Sequence, residues 1–348
     1  MAIKQTWDLE LDYDIRWEVA SGYVKNRYTA TTGAAKFPYL WAWGKANGWT
    51  DSDLLNLSEF VAAWNDVIWH SANGDYTIQP VLGHGWNINA PHGKFPINYP
   101  LIIAGGEYVG RGSRIFYSSV AHGFGGTELY VDHANWMTSK AVDRHIMRTT
   151  TWGQNGMFAY QESFKVRSFR LSGERQSGWM DTAYESSGIA VWEAGETSRI
   201  DDIYCYRFNS DGLLFVRGTP VLCTNISVFM CNRSAIAMIG GAGATYTFVG
   251  VSGDDCPSSF YMRDGYGRIG GGLLTVIGTK SETGLTDQFK PYKAQMLLDG
   301  EGWVVAEFRG VSLASGNIFP DSLVRVKHTA NVSSVEVSNL RLFGNRRT

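Results

Sequence analysis

Short strands return along the second half of this chain at a nearly fixed step, and a chain built that way has few folds open to it. Ser187-Gly188-Ile189-Ala190-Val191 comes back as Asp211-Gly212-Leu213-Leu214-Phe215, then as Ser234-Ala235-Ile236-Ala237-Met238 and Ser258-Ser259-Phe260-Tyr261-Met262. Each copy is a small or polar residue, a small residue, then apolar–x–apolar. A second strand keeps a step of 23: Ile203-x-Cys205, Ile226-x-Val228 and Val249-x-Val251, with Leu274-x-Val276 following at 25. Gly310-Val311-Ser312-Leu313 and Asn339-Leu340-Arg341-Leu342 repeat the pattern more loosely. A unit this short cannot bury its own apolar face, so neighbouring units must stack into a solenoid. The strands alternate with period two, Gly, Asn and Asp mark the turns, and no Leu/Asn consensus of a leucine-rich repeat is present. The expected class is therefore all-β, a parallel β-helix of about 23 residues per rung. Equivalent residues then lie about 4.8 Å apart, and Ile203/Ile226/Val249 and Cys205/Val228/Val251 are expected as inward ladders.

The first part of the chain is built differently. Ten of the 13 Trp fall in the first 152 residues. Trp7-Asp8-Leu9-Glu10-Leu11-Asp12-Tyr13 alternates like one strand or an extended arm. Residues 36–49 are strongly aromatic. Leu54, Leu57, Val61, Trp64 and Ile68 recur at spacings of three and four, which predicts one helix over 51–69, capped by Thr50 or Ser52. Asn73-Gly74 ends it, and Pro80, Gly83, Gly85, Pro91, Gly93, Pro96 and Pro100 punctuate a turn-rich stretch. The expected organisation is an N-terminal anchoring or assembly segment, 1–49, followed by a β-helix domain, 50–348, with 51–69 as its capping helix.

Composition narrows the function classes. The 31 Lys and Arg nearly cancel 33 Asp and Glu, so no basic excess draws phosphate, and nucleic acid is not an expected partner. Forty-four per cent hydrophobic residues argue against a disordered chain. No charge-free apolar run is long enough for a membrane span; Ser234 to Val251 is interrupted by glycines and reads as two strands and a turn. No apolar leader follows Met1, so synthesis in a cytoplasm is expected. Cys205, Cys223, Cys231 and Cys256 form no CxxC and read as buried free thiols, and no metal site or cofactor is expected. The seven His are scattered without metal-ligand spacing.

With the repeats from Gly188 to Val276, the helix over 51–69, Pro100-Leu101-Ile102-Ile103 and the Gly110-Arg111-Gly112-Ser113 turn in place, the chain resembles the right-handed parallel β-helix proteins of the pectate-lyase-like kind. Among them it is similar to bacteriophage tailspikes and other virion β-helix proteins. The resemblance covers about residues 50–348 and implies a homotrimer on a virion, held to other virion proteins through its N-terminal segment. It also implies contact with a host-surface glycan.

Many β-helix proteins cleave polysaccharides with paired carboxylates, one protonating the leaving oxygen and one activating water. Polygalacturonase-like glycosidases carry Asn-x-Asp, Asp-Asp, Gly-His-Gly and Arg-x-Lys in that order. Here Asn209-Ser210-Asp211 and Asp254-Asp255 match the first two, which makes Asp211, Asp254 and Asp255 the candidate catalytic residues. Asp211 and Asp255 are 44 residues apart, close to two rungs instead of one. Gly83-His84-Gly85 lies upstream of both motifs instead of downstream, so these acids read more simply as turn residues. Asp201-Asp202 aligns with Thr224-Asn225 as a polar corner. The aromatic run Phe37, Tyr39, Trp41, Trp43 and Trp49 is expected as a packed surface, an assembly interface or a sugar platform. The leading expectation is a virion structural protein, a tailspike, fibre or capsid-decorating spike. The alternatives are a polysaccharide-degrading enzyme, glycosidase or lyase, and a non-catalytic glycan-binding adhesin.

Overall fold

A computed structural model describes residues 12–14, 37–70, 87–103, 106–113, 126–149, 163–173, 184–192, 197–217, 220–241, 244–265, 271–283, 294–299, 303–315, 322–326 and 331–344. In chain order the elements are β1 (Asp12–Asp14), α1 (Pro38–Ala46), α2 (Asp51–Leu55), α3 (Glu59–His70), β2 (Asn87–Asn89), β3 (Gly93–Ile97), β4 (Leu101–Ile103), β5 (Gly106–Val109), β6 (Thr127–Val131) and β7 (Met147–Thr149). The regular rungs follow as β8 (Phe164–Ser172), β9 (Ser187–Trp192), β10 (Ser198–Tyr206), β11 (Asp211–Val216), β12 (Val221–Phe229), β13 (Ser234–Ile239), β14 (Ala244–Asp254), β15 (Ser258–Arg263) and β16 (Gly272–Thr283). β17 (Ala294–Asp299), β18 (Trp303–Ser315), β19 (Ser322–Val326), β20 (Asn331–Ser338) and β21 (Arg341–Gly344) end the chain.

Even-numbered strands from β8 to β20 pair in sequence as one parallel sheet, sheet A, and odd-numbered strands from β7 to β19 as another, sheet B. Every crossover returns to the next rung, which makes the chain an all-β solenoid, a parallel β-helix. Helix α3 lies against β4 and β3 at the first rungs. Trp64 is fully buried, stacks on Tyr108 at 5.2 Å and donates its indole N–H to the Ile102 carbonyl at 2.9 Å. Asn65 donates to the Pro100 carbonyl and accepts from the Ile102 amide, so the helix is bonded to the end of the solenoid as well as packed on it.

A column of left-handed residues folds each long strand of sheet A in two. Ser168, Asp202, Asn225, Gly250, Gly278, Gly310 and Asn339 all have φ between 51° and 70° and stack in register. Short polar side chains and Gly tolerate this region best, which explains their recurrence there. The residues before each bend form one face of the solenoid and those after it another. Asp201-Asp202 therefore aligns with Thr224-Asn225, and Asp201 accepts from the Thr224 hydroxyl and from Asn225 Nδ2.

The inward ladders differ from the expected ones beyond the second rung. Ile203 pairs with Ile226, but Ile226 pairs with Val251, and Cys205/Val228 continues to Gly253. Val249 instead faces Thr224. The reason is the turn around Gly240-Gly241, which carries extra residues: Asp202 to Asn225 is 23 residues, Asn225 to Gly250 is 25, and Gly250 to Gly278 is 28. A constant step slips by two at that turn. Two residues keep the in/out alternation, so the slip is invisible in the apolar pattern.

The helical region differs as well. The expected single helix is two, because Thr50 and Asp53 close a capping box on α2, whose C-cap is Asn56, and α3 starts afresh after Ser58, whose carbonyl accepts from the Ala62 amide and whose hydroxyl donates to the Pro96 carbonyl. The boundary at 49 falls inside one unit: α1 packs on α3, with the Tyr39 and Leu40 amides both donating to Asp66 Oδ1 at 2.9 Å. Of the alternating run over 7–13, only Asp12–Asp14 is described, as β1 beside β2. Asn73-Gly74, Pro80 and Gly83-His84-Gly85 lie outside the described residues. All four cysteines are free and buried. Among the described residues no helix is long and apolar enough to cross a membrane.

Candidate functional site

The three candidate acids do not converge. Asp211 opens β11 on sheet B and is fully buried. Arg233 donates to both its oxygens and Ser234 donates to Oδ1 at 2.6 Å. The same guanidinium reaches Glu185 Oε1 at 3.0 Å. A carboxylate saturated in this way is not free to take a proton from water or give one to a leaving group. Asp254 ends β14 on sheet A, where Ser252 donates to it at 3.0 Å, and Asp255 follows in a left-handed corner with φ 54°. That corner also holds Arg207 and Met230 in the preceding rungs, so Asp255 sits in a turn ladder.

The outer face of sheet B is closed. Ala190, Trp192, Leu214, Val216, Ala237, Ile239 and Tyr261 form a second apolar cluster there, separate from the solenoid core, and all are buried. A polar polymer finds neither hydroxyl partners nor access on such a surface. At its edge a charged network gathers. Arg144 Nη1 donates to His133 Nδ1 at 2.5 Å, and His133 Nε2–H then donates to the Gly173 carbonyl. Asp143 accepts from the Glu185 amide at 3.1 Å, and burial pushes its carboxyl pKa up. His145 is fully buried 5.6 Å from the Trp192 ring, and burial with Arg148 and Arg233 nearby pushes its pKa down to about 3. Arg144 and His133 are joined to each other, while His145 is buried with no hydrogen-bond partner among the described residues.

The aromatic run at the N-terminal side is likewise packed away. Phe37, Trp41, Trp43 and Trp49 are buried, and Tyr39 is half-buried against the core. Trp43 meets Trp49 edge-on at 5.3 Å, and Trp49 meets Tyr99 at 5.0 Å. They pack into the core of the helical cap.

The accessible polar and aromatic surface is the outer face of sheet A beyond the left-handed bend. Period two sends Ile203 and Cys205 inward, so Tyr204 and Tyr206 point outward. Phe229 is the partner of Tyr206 one rung on. Tyr206 and Phe229 stack with centroids 5.8 Å apart and planes 7° apart; Tyr204 stacks with Tyr206 at 6.4 Å. All three are half-buried. Cations border the rings. The Arg170 guanidinium lies 5.4 Å from Tyr204 and 5.5 Å from Tyr206, and that of Arg207 lies 4.9 Å from Tyr206. Arg170 also reaches Glu128, which accepts from Ser172 at 2.8 Å. Asp254 is the next outward residue after Phe229. At the bend itself, Ser113, Asp202, Tyr204, Asn225 and Ser227 line a groove of about 430 Å³ that runs into this face. Ser113 donates to Asp202 across 89 residues, fixing the groove wall.

Of this surface, the motifs in the sequence mark Asp254, the corner residues Asp202 and Asn225, and Ser113, but not the three rings. The signal was present: Tyr204 and Tyr206 occupy the x positions of the apolar–x–apolar strand, and Phe229 follows Tyr206 at the repeat step of 23. Among the described residues no three His, Cys, Asp or Glu side chains are grouped to hold a metal ion.

No protein-family model matches the chain, and no curated protein matches it. The chain is similar to several solved structures, two of them over most of its length. One is an endo-xylogalacturonan hydrolase from Aspergillus tubingensis, at 10% identity and a TM-score of 0.38 over 83% of this chain and 90% of that one. The other is a DFA-IIIase from Arthrobacter chlorophenolicus A6 in complex with GF2, at 12% identity and a TM-score of 0.27 over 75% and 84%. At such scores neither neighbour bears on what this chain binds.

Proposed function

We propose that this β-helix is a glycan-binding protein that takes its ligand on the outer face of sheet A, across Tyr204, Tyr206 and Phe229. The observation that carries the reading is the stack of three outward, half-open aromatic rings bordered by hydrogen-bonding side chains. The C–H face of a sugar ring lies flat on such rings, while its hydroxyls need donors and acceptors at the rim. Sheet B offers neither. The lock of Asp211 to Arg233 favours binding without cleavage over the polysaccharide-degrading alternative.

The test is a panel of immobilised bacterial surface polysaccharides, scored for binding and for new reducing ends. Binding without new ends is expected. Tyr206→Ala and Phe229→Ala should each weaken it about tenfold, the equivalent of ~1.4 kcal/mol. New reducing ends would move the reading to a polysaccharide-degrading enzyme, and absence of binding to any glycan would overturn it.

A homotrimeric spike, the setting in which a virion protein would present this face, is favoured by one observation. Leu273, Ile277 and Val305 are exposed together on the outer face of the late rungs. Native mass spectrometry of the purified chain should give the trimer mass.

A further inference from the structure

The charge around the rings says which glycan. Arg207 sits in the corner after β10, exposed, with φ 58° and its guanidinium 4.9 Å from the Tyr206 ring. Among the described residues no carboxylate pairs with that guanidinium. Of the other cations of this face, Arg170 pairs with Glu128, Lys94 lies 3.9 Å from Glu128 and over Tyr130, and Lys280 and Arg341 lie rungs further on, away from the rings. Arg207 is therefore a cation held at the edge of an open aromatic platform and not committed to an internal carboxylate. The opposite end of the face has the reverse character. The groove at the bend is lined by Asp202, Asn225, Ser227 and Ser113, which offer hydroxyl and amide partners and no cation.

We infer that the sheet A face binds an acidic oligosaccharide, with a carboxylate-bearing sugar on Tyr206 at the Arg207 corner, two strands from Asp254, and a neutral neighbouring sugar in the bend groove. This rests on the glycan-binding reading above and adds the ligand's charge and its orientation. The Arg207 fork would take the sugar carboxylate through two parallel N–H donors, a geometry a guanidinium matches and an ammonium does not. The ring beneath holds the fork flat, so less side-chain freedom is lost on binding. The ligand then lies along β10, from the bend corner past Tyr204 to the Arg207 corner. The sugar that carries no charge falls where Asp202 would repel a second carboxylate.

The experiment compares oligosaccharides of a uronic acid polymer with the same oligosaccharides after their carboxyl groups are reduced to primary alcohols, by isothermal titration on the full chain. The reduced form should bind about tenfold more weakly. Arg207→Asn keeps a residue suited to the left-handed corner and removes the charge. That variant should lose the same tenfold for the acidic form and nothing for the reduced form, and Arg207→Lys should recover only part of it. Tyr206→Ala should weaken both forms. Affinity for the acidic form should also fall with added salt, and that salt dependence should shrink in Arg207→Asn. Equal binding of the two forms, or an equal loss of both in Arg207→Asn, would overturn the acidic-sugar inference while leaving glycan binding intact. No binding of either form would overturn both.

Discussion

His145 shows what the enclosed edge of sheet B demands of a single side chain. Neither ring nitrogen has a hydrogen-bond partner among the described residues, and the imidazole is buried with Arg148 and Arg233 near enough to oppose a positive charge. A proton there has no carboxylate to offset it, so the folded pKa drops to about 3 against an ordinary 6.5. The unfolded chain then binds a proton that the folded chain refuses. Stability is full above pH 6.5 and falls as the pH drops toward 3, by about 1.4 kcal/mol for each pH unit. Asp143, whose pKa is raised by burial, has the opposite dependence: its penalty grows as the pH rises above the ordinary carboxylate range. Urea unfolding at pH 7, 5.5 and 4.5 should therefore be compared between the wild type and His145→Phe, which cancels Asp143 from the difference. The wild type should lose stability faster than the variant over that range. Parallel curves would mean that His145 titrates in the folded protein as it does in the unfolded one.

At the scale of the elements, the left-handed column decides where each strand of sheet A bends, and setting one of its glycines against a glycine of sheet B separates two kinds of constraint. At Gly278 a Cβ would meet nothing within 4 Å, yet φ is +65°. At Gly212, outside that column in β11 of sheet B, a Cβ would instead lie 2.6 Å from a Val228 methyl and 2.7 Å from the Ala235 carbonyl. Gly278→Ala therefore isolates the backbone cost, about 1 kcal/mol, and Gly278→Asn should cost measurably less, since Asn225 and Asn339 already occupy the same column. Denaturation midpoints of the two variants check this, and equal losses would remove φ as the cause. The same column explains what was legible in the sequence. Strand identity, parallel stacking and the Asp201-Asp202 corner follow from period-two alternation and short polar turns, which are local signals. The register past Gly240 does not, because two extra turn residues shift the next rung without disturbing the alternation. The binding face was half legible: Tyr206 and Phe229 are spaced by the repeat, but the inward residues carry the periodic signal and the outward ones are read as filler. The fate of Phe37, Tyr39, Trp41, Trp43 and Trp49 depended on whether α3 covers them, a long-range packing question that composition does not answer.

For the whole molecule, a solenoid has two ends and open faces, and each must be closed or left for a partner. Helices α1 and α3 close the first rungs with buried Trp43 and Trp64. Along the late rungs the outer face of sheet A before the bend is not closed. Leu273 and Val305 are register partners on adjacent strands, 43% and 36% exposed, and Ile277 at 40% extends the strip. Apolar neighbours aligned across rungs bury together when a second copy meets them, and a closed symmetric assembly satisfies all copies at once. This strip lies on the opposite side of the left-handed bend from Tyr204 and Tyr206, and in later rungs, so association through it leaves the binding face open. The double substitution Leu273→Ser and Val305→Ser should thus convert a trimer to monomer in sedimentation while each chain keeps its affinity for a glycan. Loss of avidity on an immobilised polysaccharide, with unchanged affinity for a short oligosaccharide in solution, is the expected pattern. A wild-type chain that sediments as a monomer would remove the trimer. A variant that loses oligosaccharide affinity along with assembly would place the binding face between subunits, where one copy alone does not complete it.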